Sequence, residues 1–413
     1  VLYIKQIYEI PFPLEALHNS TIHLNGATAG VPEYFLKFDI ENASTENSYL
    51  KNYLLYNIYP IPETAETDNQ TVQNILDGWI DCGAWNAPHN TELYNRAGLR
   101  AAYRASTFYD EAEGNDIPLF VTLQVHGEHE LNPTTHAYIP NAGRGKRPPT
   151  GDEIFAMGNI ALAHGAKGFM YYMVPTRSEY SWGTYGLFDD QNQVYNFQTK
   201  TGLWQDPGNT QVTNERFTAV KNFITSMKPY ESDLLKLKWK GAHRWTDTNA
   251  VSGNWISKIK TAVDSSFNNK DGTIWIQTGY FEEYSNLTGS DPFSRYIYIV
   301  NRRCNETNSS RYVKFTIGDE IISSFKNYCI TDLRTGKKDF VASGLEYSLY
   351  LAAGHGTLLK IEPMIRYGGT LFTSETVPSD NFTIDTTLTV PDNVKLTVSA
   401  GTKLTFRNSG RLL

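Results

Sequence analysis

The sequence has few cysteines, no long apolar segment and no excess of basic residues. Cys82, Cys304 and Cys329 are the 3 cysteines among 413 residues, which is too few for a disulfide scaffold, and they lack metal-site spacing. Cys304 and Cys329 fall in neighbouring predicted strands and could pair in an oxidising compartment. Without a run of about 18 apolar residues, the sequence predicts no membrane span. A net charge of -7 argues against nucleic acid or an anionic membrane as partner, because either needs a basic surface.

The composition is that of a globular protein rich in aromatic residues. A chain of 413 residues, 40% of them hydrophobic, can form two or three domains with real cores. The 26 tyrosines and 8 tryptophans mostly fill cores and sheets, and such rings also serve as stacking platforms in sugar-binding clefts.

Residues 151–175 predict one α/β unit around which the first part of the chain is organised. Apolar side chains recur at helical spacing over 153–162, so one face of this helix must be covered. Gly165 ends the helix, and the short aromatic run 166–174 predicts a buried strand of a parallel sheet. The polar segment 176–190 follows the carboxyl end of that strand, where α/β barrels hold their active-site loops.

The string ALAHGAKGFMYYMVP, preceded by Pro149, Thr150 and Glu153, resembles the last helix and strand of glycoside-hydrolase-like (β/α)8 barrels related to β-galactosidases, of the clan A type. The resemblance extends more weakly over about the first two thirds of the chain, and it implies a partial TIM-type barrel. Further strands are predicted at 34–40, 53–59 and 117–125, and helices at 71–80, 92–111 and 214–227. These units correspond to the C-terminal half of a barrel, so we expect the other half upstream, or a rearranged fold.

The resemblance points to the segment around Glu9 for the proton donor, with one departure from the family's pattern. In the related barrels a strand ends in Asp-Glu-Pro followed by Phe-Pro, and the glutamate is the general acid/base. Here the matching string places Glu9 on the family's aspartate and Ile10 on its glutamate. Either Glu9 acts through a one-residue shift, or the donor is lost and Glu9 is an ordinary strand-end carboxylate. Similarly, Asn57 and Tyr59 match an Asp-x-Tyr-Pro pattern with Asn for Asp, and could hold a sugar hydroxyl.

The predicted strand 117–125 ends in a polar cluster formed by Gln124, His126, Glu128, His129 and Glu130. By order this is the seventh strand, which carries the nucleophilic carboxylate in related barrels, so the resemblance assigns that role to Glu128. Glycoside hydrolysis needs two carboxyl groups across the scissile bond. His126 or Gln124 could hold Glu128 or a substrate hydroxyl. A metal site is disfavoured because HExxH spacing is missing, and a solvated loop of mixed charges is the plain alternative.

Aromatic and charged residues near the last predicted strand could form a sugar subsite. We assign substrate contacts to Tyr172, Arg177, Trp182 and Tyr185. The alternative for Arg177 is a surface pair with Glu179, which would contribute little energy.

From about residue 233 the pattern becomes all-β. Alternating strands separated by turns predict a sandwich, and Asn301, the segment 332–336 and the segment 353–356 resemble the accessory sandwich that follows such barrels in secreted glycosidases. Beyond Tyr367, strict alternation resembles the opening coil of an extracellular β-solenoid. The predicted fold class is therefore α/β plus all-β, with domains at 1–232, 233–366 and 367–413.

These features predict a secreted glycoside hydrolase that cleaves polysaccharide or oligosaccharide by the two-carboxylate mechanism, without metal or cofactor. The alternative is a non-catalytic carbohydrate-binding or cell-surface structural protein, which Ile10 and Asn57 would suit. We expect an extracellular or cell-surface location, with surface association through the C-terminal region. The following sequons fit export, although a chain rich in Asn, Ser and Thr produces many by chance: Asn19, Asn42, Asn69, Asn286, Asn305, Asn308 and Asn381.

Overall fold

A computed structural model describes residues 54–56, 59–61, 68–81, 118–130, 132, 134, 146–172, 177–179, 182–190, 211–213, 215–249, 254–283, 294–304, 309–318 and 325–413. The contacts divide the chain into two compact units, the first formed by residues 1–225 with 303–307 and the second by 226–302 with 308–413. The chain mixes helices with strands, and many of its sheets are antiparallel, which confirms the predicted mixture of structure types.

The first unit contains a three-stranded parallel sheet. Strands β1 (Leu54–Tyr56), β2 (Leu119–Gln124) and β4 (Gly168–Tyr172) lie in the order β1-β2-β4. Tyr56 pairs with Val121, and Gln124 pairs with Tyr172. Helix α1 (Asn69–Asp81) lies between β1 and β2 along the chain, and helix α2 (Gly151–Ala163) lies between β2 and β4. The predicted parallel α/β unit is therefore confirmed.

Helix α2 starts and stops where the sequence places its signals. Thr150 is its N-cap, and Thr150 and Glu153 form a reciprocal capping box. Gly165 has φ +86°, a left-handed conformation that ends the helix at low steric cost. We predicted that one face of α2 is covered, but the buried surface extends around the helix, because every residue from Glu153 to Ala163 is buried. The prediction that β4 is fully buried is also wrong, since Tyr172 is 41% exposed.

Short antiparallel strands fill the segment that we predicted as an active-site loop. Strands β3 (Gly127–Glu130), β5 (Arg177–Glu179) and β6 (Trp182–Tyr185) form a sheet in the order β3-β6-β5. Strand β7 (Phe188–Asp190) pairs with β8 (Gln211–Thr213). The predicted helix at 214–227 is confirmed as α3 (Glu215–Met227). The predicted strand 34–40 and helix 92–111 lie outside the described residues.

The second unit begins with a short helix and continues with two antiparallel sheets. The helix is α4 (Glu231–Leu235), and the strands are β9 (Leu237–Trp245), β10 (Ile256–Ala262), β11 (Ile276–Glu283), β12 (Arg295–Asn301), β13 (Arg311–Ile317), β14 (Asn327–Asp332), β15 (Lys337–Ala342), β16 (Glu346–Leu351) and β17 (Gly356–Pro363). One sheet has the order β15-β14-β17-β12-β11-β9, and the other has the order β10-β13-β16. Both contribute to one apolar core, as in face-to-face packing of sheets.

The last part of the second unit is built from parallel ladders. After a 3-10 helix at Met364–Arg366, the short strands are β18 (Gly369–Thr370), β19 (Glu375–Val377), β20 (Asn381–Ile384), β21 (Thr387–Thr389), β22 (Leu396–Val398), β23 (Lys403–Phe406) and β24 (Arg411–Leu412). β21 pairs in parallel with both β18 and β24, β22 with β19, and β23 with β20. Successive turns of the chain therefore stack on each other, in a coiled arrangement.

Cys304 and Cys329 are both buried and remain thiols. Our prediction that they lie in neighbouring strands is wrong. Cys329 lies on β14, Cys304 follows β12, and β17 lies between these two strands in the sheet. Burial raises the pKa of the Cys329 thiol to about 11.

None of the helices in the described part of the chain is long and apolar enough to cross a membrane.

Candidate functional site

The predicted polar cluster lies at the carboxyl ends of the three parallel strands. Tyr59 follows β1, His126 and Glu128 follow β2, and Tyr172 is the last residue of β4. Because parallel strands end at the same edge of a sheet, side chains from distant parts of the sequence meet there. This edge is where open and closed α/β sheets bind their ligands.

A buried histidine holds the candidate carboxylate. The ring of His126 is fully buried, and its Nε2 lies 2.9 Å from Oε1 of Glu128. Its Nδ1 lies 2.5 Å from the backbone carbonyl oxygen of Tyr172. The same carbonyl accepts the backbone N–H of Val125 at 3.0 Å. The side chain of Glu128 is 28% exposed, so its carboxyl group is fixed by the protein on one side and reaches solvent.

Two tyrosines enclose the imidazole. Tyr59 and Tyr172 stack with ring centroids 5.2 Å apart and an interplanar angle of 19°. The His126 ring stands nearly perpendicular to both, at 4.9 Å from Tyr59 and 4.8 Å from Tyr172. Such T-shaped and stacked contacts fix the orientation of the rings as well as burying them. Because Tyr172 is 41% exposed, the stacked pair keeps part of its aromatic surface open to solvent next to the His126 ring.

Gln124 acts as a clamp between backbone segments. Its Oε1 accepts the N–H of Ile61 at 2.8 Å, and its Nε2 donates to the carbonyl oxygens of Ile61 at 3.1 Å and Arg147 at 2.9 Å. The residue is fully buried. The sequence predicts that Gln124 could hold Glu128 or a substrate hydroxyl, whereas in the structure its amide bonds to the protein backbone. We therefore interpret Gln124 as a residue that positions the segments carrying Tyr59 and Lys146.

The segment 146–150 lines the site from the other side of β3. Lys146 and Glu128 exchange backbone hydrogen bonds of 2.8 Å in both directions, and Lys146 Nζ donates to the carbonyl oxygen of Tyr59 at 3.2 Å. Gly127 permits this approach, because a Cβ at that position would lie 2.4 Å from Cδ of Pro148. A side chain at residue 127 would therefore separate the two segments.

Two buried arginines support the site. Arg147 makes a bidentate ion pair with Glu153, with N–O distances of 2.9 and 2.7 Å. Arg216, on α3, donates to the carbonyl oxygens of Val125 at 3.2 Å and Gly186 at 2.7 Å. We did not predict either residue, because a single arginine in a polar loop or helix reads as a solvated surface charge.

The structure brings together only some of the residues assigned from the sequence. Thr184 on β6 pairs with Glu128 and with Arg177, and Trp182 and Tyr185 lie on the same strand, so their backbones neighbour the site. The side chains of Arg177, Trp182 and Tyr185 are not among those described. Glu9 and Asn57 lie outside the described residues, so the assignments of acid and sugar contact remain predictions.

Among the described residues, no three His, Cys, Asp or Glu side chains lie close enough to hold a metal ion. In this part of the chain, the site's chemistry rests on a carboxyl group, an imidazole and two phenols.

No protein-family model matches the chain, and a search of curated proteins gives no match. Solved structures match at low similarity. A GH27 β-L-arabinopyranosidase from Geobacillus stearothermophilus is 8% identical with a TM-score of 0.31, covering 82% of this chain and 63% of its own. A glycoside hydrolase is 9% identical with a TM-score of 0.32, covering 80% and 60%. A proposed α-N-acetylgalactosaminidase from Bacillus halodurans is 8% identical with a TM-score of 0.29, covering 80% and 62%.

The chain thus spans about three fifths of the length of these solved structures. The similarities are too remote to assign an activity, and the relation to the β-galactosidase type of barrel stays a prediction.

Proposed function

We propose that the chain is a glycoside hydrolase in which Glu128 serves as nucleophile or general base. One observation carries this proposal. A partly exposed carboxyl group is held by a buried histidine, beside two stacked tyrosines, at the carboxyl ends of parallel strands. Such a carboxylate can be one of the two carboxyl groups that glycoside cleavage needs, the one that attacks the sugar or activates water. Aromatic rings next to it can support the sugar.

In the same proposal the first unit is the second half of a (β/α)8 barrel, the second unit contains an accessory sandwich, and residues 367–413 begin a β-solenoid. The alternation of helices with parallel strands, the shared core of two sheets and the stacked parallel ladders support these three parts. The domain boundaries 1–232, 233–366 and 367–413 belong to the proposal. Limited proteolysis that cleaves within β9 or β17 before it cleaves near these boundaries would contradict them.

The activity is tested with a panel of aryl glycosides and oligosaccharides. Glu128→Gln should lower kcat by roughly 10²–10⁴-fold on any substrate that the protein cleaves, the usual range for loss of a general base. Glu215→Gln is the matched control, since Glu215 is an exposed glutamate of the same unit. Equal activity of the Glu128→Gln variant and the parent would exclude the proposed role.

The second carboxyl group is tested separately. If Glu9 is the proton donor, Glu9→Gln should slow substrates with poor leaving groups far more than activated aryl glycosides, which need little protonation. An equal effect on both classes would indicate a different donor.

A non-catalytic carbohydrate-binding protein is the second candidate, favoured by the exposed part of Tyr172 on its stacked pair with Tyr59. In that case no glycoside is cleaved, yet Tyr172→Ala should weaken glycan binding while Glu128→Gln leaves it nearly unchanged. Glycan arrays followed by calorimetry distinguish the two candidates, because an enzyme converts the glycan that it binds.

The proposal includes export to the cell surface or medium, with attachment through the C-terminal region. Two sequons differ in a useful way, because Asn381 is exposed and Asn69 is fully buried. Glycans need a surface position. Protein purified from a glycosylating secretory host should therefore carry a glycan at Asn381 and none at Asn69, by peptide mass spectrometry.

A further inference from the structure

The hydrogen bonds of the His126 ring fix its proton count. Nδ1 lies 2.5 Å from the carbonyl oxygen of Tyr172, and a carbonyl oxygen only accepts, so Nδ1 carries a hydrogen. A neutral imidazole has one N–H, so its Nε2 would then present a lone pair to Glu128. Nε2 is 2.9 Å from Oε1 of Glu128, and two lone pairs at that distance repel each other. A second proton must therefore lie between the two groups.

That proton can sit on the ring or on the carboxyl group. With the proton on the ring, the 2.9 Å contact is a charge-assisted hydrogen bond from an imidazolium to a carboxylate, which is stronger than a bond between neutral groups. The Glu128 side chain keeps 28% of its surface exposed, which favours the ionised carboxylate. Each charge in turn stabilises the other at this short distance, and the ring's other N–H is satisfied by the Tyr172 carbonyl.

We infer that His126 is an imidazolium and Glu128 a carboxylate, held as an ion pair at the carboxyl end of β2. If the proposed hydrolase function holds, this pair excludes Glu128 as the proton donor and gives His126 a role. A carboxylate whose Oε1 accepts a hydrogen bond from a cation cannot be the proton donor to a leaving group. Glu128 is then the nucleophile or base, His126 is its positioning residue, and the acid is a different residue.

Nitrogen NMR of the histidine rings tests the inference without any sugar. In the full ¹⁵N-labelled protein near neutral pH, both ring nitrogens of His126 should resonate as protonated nitrogens. In Glu128→Gln, the amide N–H of the new side chain can donate to Nε2, so the ring should become neutral with its hydrogen on Nδ1. The expected change is a large downfield shift of one His126 nitrogen, confined to that residue.

His164 is the internal reference, since it is also fully buried and its Nδ1 lies 2.8 Å from the carbonyl oxygen of Ile160. Its signals should be the same in the parent and in Glu128→Gln. A parent spectrum in which one His126 nitrogen is unprotonated would overturn the inference, whether or not any variant folds. Loss of the His126 signals in His126→Asn provides the assignment.

A kinetic measurement follows if a substrate is found. His126→Asn should lower kcat roughly 10- to 100-fold, the value of a lost hydrogen bond to a charged group, with little change in KM. An imidazolium seen by NMR in a protein that cleaves no glycoside would support the ion pair and refute the hydrolase. A neutral ring in an active enzyme would refute the ion pair alone.

Discussion

Removing the carboxylate of Glu153 should destabilise the first unit more than most single changes would. Glu153 is 1% exposed, and it accepts hydrogen bonds from two nitrogens of Arg147, itself 4% exposed. It also accepts the backbone N–H of Thr150 at 2.7 Å, within the capping box of α2. One side chain therefore neutralises a buried cation and caps the helix that supports the site.

The magnitude follows from what Glu153→Ala leaves behind. A guanidinium that loses its partner in a buried position costs about 3–5 kcal/mol, and the lost cap adds about 1 kcal/mol. Glu153→Gln can still accept from Thr150, but it leaves the charge of Arg147 unbalanced, so we expect an intermediate cost. The double change Arg147→Met with Glu153→Leu strands no charge, so it should cost about 1 kcal/mol or less.

Hydrogen exchange measured by mass spectrometry resolves this effect within the chain. Amides of α2 should lose protection by roughly 10²-fold or more in Glu153→Ala, since each 1.4 kcal/mol is tenfold. Peptides from residues 327–351 of the second unit are the internal control. The reasoning would be refuted if the double variant were as unstable as Glu153→Ala, because the stranded charge would then not be the cause.

Three further predictions concern packing, pH and thiol chemistry. Gly158→Ala gains about 1 kcal/mol of helix propensity but places a Cβ 2.3 Å from the Phe223 ring, where overpacking costs about 1–3 kcal/mol. The variant should therefore unfold at a lower temperature than the parent. Gly272→Ala, with open space around residue 272, should leave the unfolding temperature nearly unchanged. Burial raises the pKa of Glu375, so its contribution to the free energy of unfolding is full at low pH and is lost as the pH rises through the raised pKa. In urea unfolding, the stability of the parent relative to Glu375→Gln should therefore increase between pH 7 and pH 5. A stability difference that stays constant over this range would contradict the prediction. Cys329, with its pKa at about 11, should resist iodoacetamide at pH 8 until the protein is unfolded in urea, and labelling of the folded protein at the unfolded rate would contradict its burial.

Local signals in the sequence predicted the elements well where the determinants are themselves local. The start of α2 follows from Thr150 and Glu153, three positions apart, and its end follows from Gly165. The hairpin between β14 and β15 turns at Gly336, which has φ +73°, a conformation that glycine adopts readily. Each of these features needs only neighbouring residues, so the sequence carries it directly.

Burial was harder to predict than helix or strand. The apolar spacing of α2 predicts one covered face, yet Glu153 and Asn159 are buried as well. Both are polar residues whose bonding groups are satisfied inside the protein, Glu153 by Arg147 and Asn159 by the Phe155 carbonyl at 2.9 Å. A hydrophobicity pattern counts such residues as solvated, because their partners are not visible in the pattern.

The candidate site shows the same limit at longer range. The sequence predicts that His126 or Gln124 could hold Glu128 or a substrate hydroxyl, and in the structure it is His126 that contacts Glu128. What the order of residues does not contain is the carbonyl of Tyr172, 46 positions away, which takes the Nδ1 hydrogen and thereby commits the other ring nitrogen to Glu128. That contact exists because the parallel register sets Gln124 beside Tyr172. The protonation of the pair is therefore set by how the strands align, and a shift in register would remove it without changing any residue of the cluster.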